Sequence, residues 1–178
     1  WMEYFAIFDS LWKCEAMRSW VVFPVGLLNS EKAPEGVLFE RLSDEWHLGV
    51  PKKDEGREQY LDILQKIVKV MHEEARLVHM DLMPCNIAWK RTGGSAMEVK
   101  ILDFDTASKI GEPLRQFAFQ NANAAADDVV WSRRVTTADA NFDLWYLFIY
   151  TELDDRDCVC GSINNNNVSA TVKRVLDS

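Results

Sequence analysis

Residues 77–87 read Leu77-Val78-His79-Met80-Asp81-Leu82-Met83-Pro84-Cys85-Asn86-Ile87, and residues 99–105 read Val99-Lys100-Ile101-Leu102-Asp103-Phe104-Asp105. Immediately upstream, Tyr60, Leu64, Ile67, Val68, Met71 and Ala75 recur at helical spacing, which predicts a helix over residues 58–75. Between the two quoted stretches, the apolar segments Asn86–Trp89 and Val99–Leu102 flank a Gly-Gly turn signal at Gly93-Gly94, so a β-hairpin is expected there. A loop then presents Asp81 and Asn86, and the end of a strand presents Asp103. Three oxygen-bearing side chains can converge. Magnesium takes hard oxygen ligands, few of them from protein, with phosphate oxygens completing the shell. Phosphoryl transfer asks for that arrangement plus one carboxylate to orient the attacking hydroxyl.

Working outward, residues 1–18 carry no Gly or Pro and read as one helix, with Met2, Phe5, Ala6, Leu11 and Trp12 roughly on its spacing. Residues 20–28 read as a strand kinked at Pro24, residues 29–36 as a turn, and Val37–Leu42 as a second strand pairing with the first. Residues 44–57 read mostly as loop. Residues 106–141 have weak periodicity and predict a long irregular loop; Phe142–Leu153 is apolar nearly all round and predicts a buried helix. The run Asn164–Asn167 is low-complexity loop, and Val168–Leu176 a final short helix.

The chain has 178 residues, 48% hydrophobic and 27% charged, which excludes wholesale disorder and suits one domain with a sizeable core. Twenty Lys+Arg against 28 Asp+Glu leave a net charge of −8, so nucleic acid and anionic membrane are not expected partners. No apolar run is long enough to span a bilayer and the N-terminus has no signal-peptide pattern, so a soluble cytoplasmic location is expected. The first residue, Trp1, suggests a processed chain or a fragment. Cys14, Cys85, Cys158 and Cys160 lack the paired spacing of a zinc site and are expected as free thiols.

The two stretches resemble the protein-kinase-like superfamily. Its H-R-D-L-x-x-x-N and D-F-G motifs stand here as His79-Met80-Asp81-Leu82 with Asn86, and as Asp103-Phe104-Asp105. Met71-His72, the strand-like Val37-Leu38-Phe39-Glu40-Arg41-Leu42 and Asp143-Leu144-Trp145 also fit the pattern. The resemblance covers roughly residues 1–155. It implies an α+β, protein-kinase-like fold: a mostly helical large lobe over residues 43–178, reduced at its end, and a partial small lobe with a remnant sheet over residues 1–42. It implies ATP and Mg2+ as cofactors. Asp81 takes the catalytic-base position, and Asn86 and Asp103 hold the metal. Phe39, Glu40, Leu42 and Ala88 surround the adenine, His79 and Phe104 are packing residues, and Asp143 binds the catalytic-loop backbone from below. Glu3, with Glu15 as the runner-up, resembles the helix glutamate of the family.

The departures shape the functional expectation. Met80 replaces the arginine that anchors a phosphorylated loop, Met83 replaces a lysine near the transferring phosphate, and Asp105 replaces the glycine of D-F-G. Phosphorylation at Thr106, Ser108, Ser132, Thr136 or Thr137 is therefore not expected to switch the domain on. The family's glycine-rich loop and phosphate-gripping lysine precede the helix at which this chain starts, so weak activity is expected of these residues alone. The leading expectation is transfer of the ATP γ-phosphate to a hydroxyl, with a protein Ser/Thr slightly favoured. A small-molecule kinase of the same superfamily and a non-catalytic pseudokinase or scaffold are the rivals.

Overall fold

The computed structural model describes residues 2–29, 34–93, 96–113 and 137–152. Helix α1 (Met2–Lys13) buries Ile7, Phe8 and Leu11, one stripe of its surface, and ion-pairs Asp9 with Lys13 at 2.6 Å on the opposite side. The expected single helix to residue 18 is two pieces. Cys14 turns extended (φ −80°, ψ 100°), and a 3₁₀ turn over Glu15–Ser19 follows. The break drives Met17 fully into the core, and Arg18 Nε donates to the Trp12 carbonyl (2.7 Å), satisfying one of the acceptors that the helix end leaves open.

Strands β1 (Pro24–Asn29) and β2 (Pro34–Phe39) form an antiparallel pair, with a register shift between Pro24 and Gly26. Pro24 opens β1 rather than kinking it, the position where a missing N–H costs no ladder bond. The second strand stops at Phe39, so Glu40–Leu42 lies beyond it, held by a Glu40 N–H to Phe23 carbonyl bond of 3.5 Å. Residues 30–33 lie outside the described residues.

A three-stranded sheet of order β3-β5-β6 comprises β3 (His47–Leu48), β5 (Ile87–Thr92) and β6 (Ala96–Ile101). The β5–β6 hairpin is the expected one, with longer arms. On β6, Met97, Val99 and Ile101 are buried while Ala96 and Glu98 are exposed, the period-two pattern of a strand with one face inward. The short β3 lies inside the segment expected to be mostly loop. Ile101 also joins the first third of the chain: Val21 bridges to it in parallel, its N–H donates to Trp20 O (2.7 Å), and its carbonyl accepts from Val22 N–H (3.2 Å). A second antiparallel pair, β4 (Leu77–Val78) with β7 (Ser108–Lys109), flanks the loop of interest.

Helix α2 (Arg57–Glu73) matches the expected stripe: Tyr60, Leu64, Ile67, Val68 and Met71 are all buried. It starts after Gly56, whose φ of +92° L side chains rarely adopt and where a Cβ would sit 3.2 Å from Arg91 Nη2. α2 packs on β6 and on α3 (Asn141–Glu152), the expected apolar helix. One continuous core runs through Leu11, Met17, Leu64, Ile67, Met71, Ile87, Ile101 and Phe104. The architecture is α+β. Cys14 is buried and Cys85 exposed, and neither is in a disulfide; Cys158, Cys160, the Asn run, the expected final helix and residues 114–136 of the expected long loop lie outside the described residues.

Candidate active site

The loop between β4 and β5 is built around one buried carboxylate. Asp143, in the first turn of α3, has no solvent exposure. Its Oδ2 accepts from the His79 N–H (2.9 Å) and meets His72 Nε2 at 2.8 Å, and its Oδ1 accepts from the Met80 N–H (3.0 Å). These bonds hold Met80 at φ 71°, a left-handed conformation that a long side chain adopts only when its surroundings force it. His79 Nε2 pairs with the Leu102 carbonyl at 2.9 Å, and Thr106 Oγ1 donates to the His79 carbonyl at 2.9 Å. The loop is thereby tied to the end of β6 on both sides of Asp103. The Tyr150 hydroxyl donates to the Leu82 carbonyl from below.

Asn86 closes the loop. A 3₁₀ turn over Pro84–Asn86, with proline in its first turn, ends in an Asn86 N–H to Met83 carbonyl bond of 2.8 Å. Asn86 Nδ2 donates to Asp81 O (2.9 Å) and to Asp81 Oδ2 (3.0 Å), and the Asn86 carbonyl accepts from Leu102 N–H at 2.8 Å. Asp81, Asn86 and Asp103 are thus brought to one place. Asp103 itself takes φ 59°. Burial pushes the Asp81 carboxyl above its ordinary value, with Asp105 adding to the rise and His79 and Asn86 opposing it. Burial also raises Asp103, followed by the charge and hydrogen bonding of Asp105 and the charge of Asp81. Asp81, Asp103 and Asp105 thus crowd one edge, and the charge of Asp105 raises the proton affinity of both of the others.

Aromatic contacts lock this edge to α1. Phe104 is fully buried, its ring 4.7 Å from His79 and 5.8 Å from Phe8. Phe8 in turn meets Tyr4 at 5.1 Å and Phe39 at 5.9 Å. A cavity of about 540 Å³ opens beside Asp103, lined by Tyr4, Val22, Phe39, Glu40, Leu42, Ser43, Asp44, Trp46, Leu48 and Leu102. Trp46 is fixed there by Lys90 and Lys100, whose Nζ atoms lie 5.0 and 6.0 Å from its ring centre. Lys100 also bonds Glu40 at 2.5 Å.

Residues 38–123 match the profile of the lipopolysaccharide kinase (Kdo/WaaP) family, just under half of the chain. The matched span contains the whole loop, the β5–β6 hairpin and Asp103-Phe104-Asp105. The chain belongs to the protein-kinase-like superfamily. No curated protein matches the sequence.

Of the four residues expected around an adenine, Phe39, Glu40 and Leu42 line the cavity, and Ala88 does not. Ala88 is fully buried because β3 pairs with β5 there, setting Leu48 opposite it; Leu48 and Leu102 supply the apolar wall instead. On α1, Glu3 is exposed and its neighbour Tyr4 faces the cavity. Sequence reasoning passed over Tyr4, although it lies on the stripe of Phe8 and Leu11 at positions i, i+4 and i+7. Trp46 carries no comparable signal. Of the five candidate phosphosites, Ser108 is buried, Thr106 is bonded to the loop and Thr137 is exposed, while Ser132 and Thr136 lie outside the described residues.

The donors present suit magnesium. Asn86 spends its amide nitrogen on Asp81, which leaves its oxygen as the atom for a hard cation, and Asp103 is a hard carboxylate beside it. Among the described residues no group of three or more His, Cys, Asp and Glu could hold a metal ion, so an ion on Asn86 and Asp103 would take the rest of its shell from phosphate and water. Among the described residues no helix is long and apolar enough to cross a membrane.

Proposed function

We propose that the chain is an ATP-dependent phosphotransferase whose acceptor is a sugar hydroxyl, with the lobe boundary at Leu42 and the nucleotide in the cavity between α1 and the β3-β5-β6 sheet. The observation that carries this reading is the Asp81–Asn86–Asp103 cluster, held by the buried carboxylate of Asp143. Asp81 is the base: its carboxylate accepts or orients the acceptor hydroxyl proton, and burial raises its affinity for a proton, which suits that task. Asn86 hydrogen-bonds that carboxylate and so fixes its direction. Asn86 and Asp103 would hold a magnesium ion, which when bound neutralises the nucleotide phosphates. Phe39, Leu42, Leu48 and Leu102 give the adenine an apolar slot, and backbone groups of Glu40 and Leu42 would meet its edge. Such an enzyme supplies mostly positioning and electrostatics.

The sugar acceptor rests on the similarity to the lipopolysaccharide kinase family, which outweighs the protein Ser/Thr substrate that the D-L-x-P-x-N-I pattern suggests. Met80 and Met83, where regulated protein kinases carry basic residues, agree with it. One observation favours a nucleotide-binding scaffold as the second reading: no Lys or Arg is found among the described residues that line the cavity. The test incubates the chain with Mg2+ and ATP and either a lipopolysaccharide-core oligosaccharide or casein, and follows phosphoryl gain by mass spectrometry. Transfer to the oligosaccharide alone supports the proposal. Transfer to casein alone restores the protein-kinase reading, and nucleotide binding without transfer to either supports the scaffold.

A further inference from the structure

The cavity beside Asp103 is poor in hydrogen-bond donors for an anion. Its acidic lining residues are Glu40, Asp44 and Asp103, and no described lining residue is cationic. Lys90 and Lys100 are held on Trp46 and Glu40, so a polyphosphate lying against Asp103 meets neutral donors first in the described lining. Ser43 and Trp46 are neutral donors, but they sit on the segment that follows Glu40, joined to one another by a Trp46 N–H to Ser43 carbonyl bond of 3.1 Å. Tyr4 comes from the other side. Its ring packs edge-on against Phe8 at 5.1 Å, and Phe8 packs edge-on against Phe104 at 5.8 Å, the residue next to Asp103. This run of ring contacts sets Tyr4 at the Asp103 end of the cavity. Burial, with the charges of Asp103 and Asp105, pushes its phenol up to about 12, so the hydroxyl keeps its proton and remains a donor across the neutral range. Phenylalanine would make the same ring contacts without bringing a half-buried hydroxyl to an acidic edge.

We propose that Tyr4 is a phosphate-binding residue: its hydroxyl donates a hydrogen bond to a non-bridging phosphate oxygen of a nucleotide held against Asp103. This rests on the nucleotide reading above and adds a contact to it. A neutral donor bonded to an anionic oxygen makes a charge-assisted bond, stronger than one between neutral groups. The bond also fixes the polyphosphate from the α1 side while the metal ligands hold it from the β6 side.

The experiment titrates the full 178-residue chain, and its Tyr4→Phe variant, with ATP, ADP and adenosine in the presence of Mg2+ by calorimetry. Thermal unfolding of the two proteins is compared alongside. Tyr4→Phe should weaken ATP and ADP about tenfold and leave adenosine within about twofold, because only the phosphates meet the hydroxyl. Unchanged ATP affinity overturns the proposal. So does an equal loss for adenosine, which would mark the hydroxyl as a support for the cavity wall. A parent chain that binds adenosine but gains nothing from its phosphates sinks the Tyr4 contact alone. A parent chain that binds none of the three sinks the nucleotide reading, and this contact with it.

Discussion

Replacing Asp143 by alanine should undo the loop that carries Asp81. The carboxylate is fully buried and takes bonds from His79 N–H, Met80 N–H and His72 Nε2 at 2.8–3.0 Å. Alanine leaves two buried backbone donors without acceptors, at about 1–3 kcal/mol each, and removes the partner of a buried histidine. Breaking a buried, charge-assisted pair costs about 3–5 kcal/mol in all, and the three bonds share one carboxylate, so their costs do not add. Met80 is released from its left-handed conformation, which returns about 1 kcal/mol. The net expectation is a loss of roughly 2–4 kcal/mol, a large share of the about 5–15 kcal/mol that a domain has. With a urea dependence of about 2 kcal/mol per molar, the midpoint should fall by roughly 1–2 M. Amide exchange at His79 and Met80 should speed up far more than at buried α2 positions such as Leu64. Asp143→Asn, which keeps one oxygen but sets an NH2 group among donors, should fall between parent and alanine. A midpoint shifted by less than about 0.3 M, with the His79 and Met80 amides still protected, would refute the claim that Asp143 organises the loop.

Asp103→Asn should stabilise the metal-free chain at neutral pH. Asp81 and Asp103 both bind protons more tightly folded than unfolded, so the fold is penalised when they are ionised, and parent stability should rise as pH falls through their raised values toward the ordinary carboxylate range. In the variant, urea midpoints between pH 7 and that range should be flatter, while the stabilisation by Mg2+ and ATP should be lost; a steeper profile contradicts the crowding of carboxylates. Phe8→Ala removes a buried ring that touches Tyr4, Phe23, Phe39 and Phe104, and should cost about 3–5 kcal/mol in urea unfolding; a cost below about 1 kcal/mol contradicts the central place of that ring. Gly56→Ala, at φ +92° with Arg91 close to the new Cβ, should cost about 1 kcal/mol or more, and an unchanged midpoint would show that α2 can start otherwise.

Helix α2 and the β5–β6 hairpin were legible because each announces itself locally, by a 3.6-residue stripe or by apolar segments on either side of a Gly-Gly turn signal in the sequence. The break at Cys14 was not, because it answers to the burial of Met17 and the Val21–Ile101 bridge, contacts across most of the described chain. Strand β3 exists only through its pairing with β5, and that same pairing takes Ala88 away from the cavity. Asp81, Asn86, Asp103 and Asp143 stood out by spacing, since one short loop and two element ends carry them. Tyr4 and Trp46 did not, because the cavity wall assembles from α1, the segment after Glu40 and the end of β6.

The most direct measurement of the central claim is single-turnover transfer of the ATP γ-phosphate by the parent chain and by Asp81→Asn, with protein in excess and Mg2+ present. Asp81→Asn keeps the shape of the side chain but cannot take up the hydroxyl proton. Loss of a general base costs about 10²–10⁴-fold in rate, so transfer should drop at least a hundredfold while the affinity for Mg2+ and ATP stays within about twofold. Equal transfer rates for the two proteins would contradict the assignment of Asp81 and, with it, the reading of this loop as a phosphotransfer site.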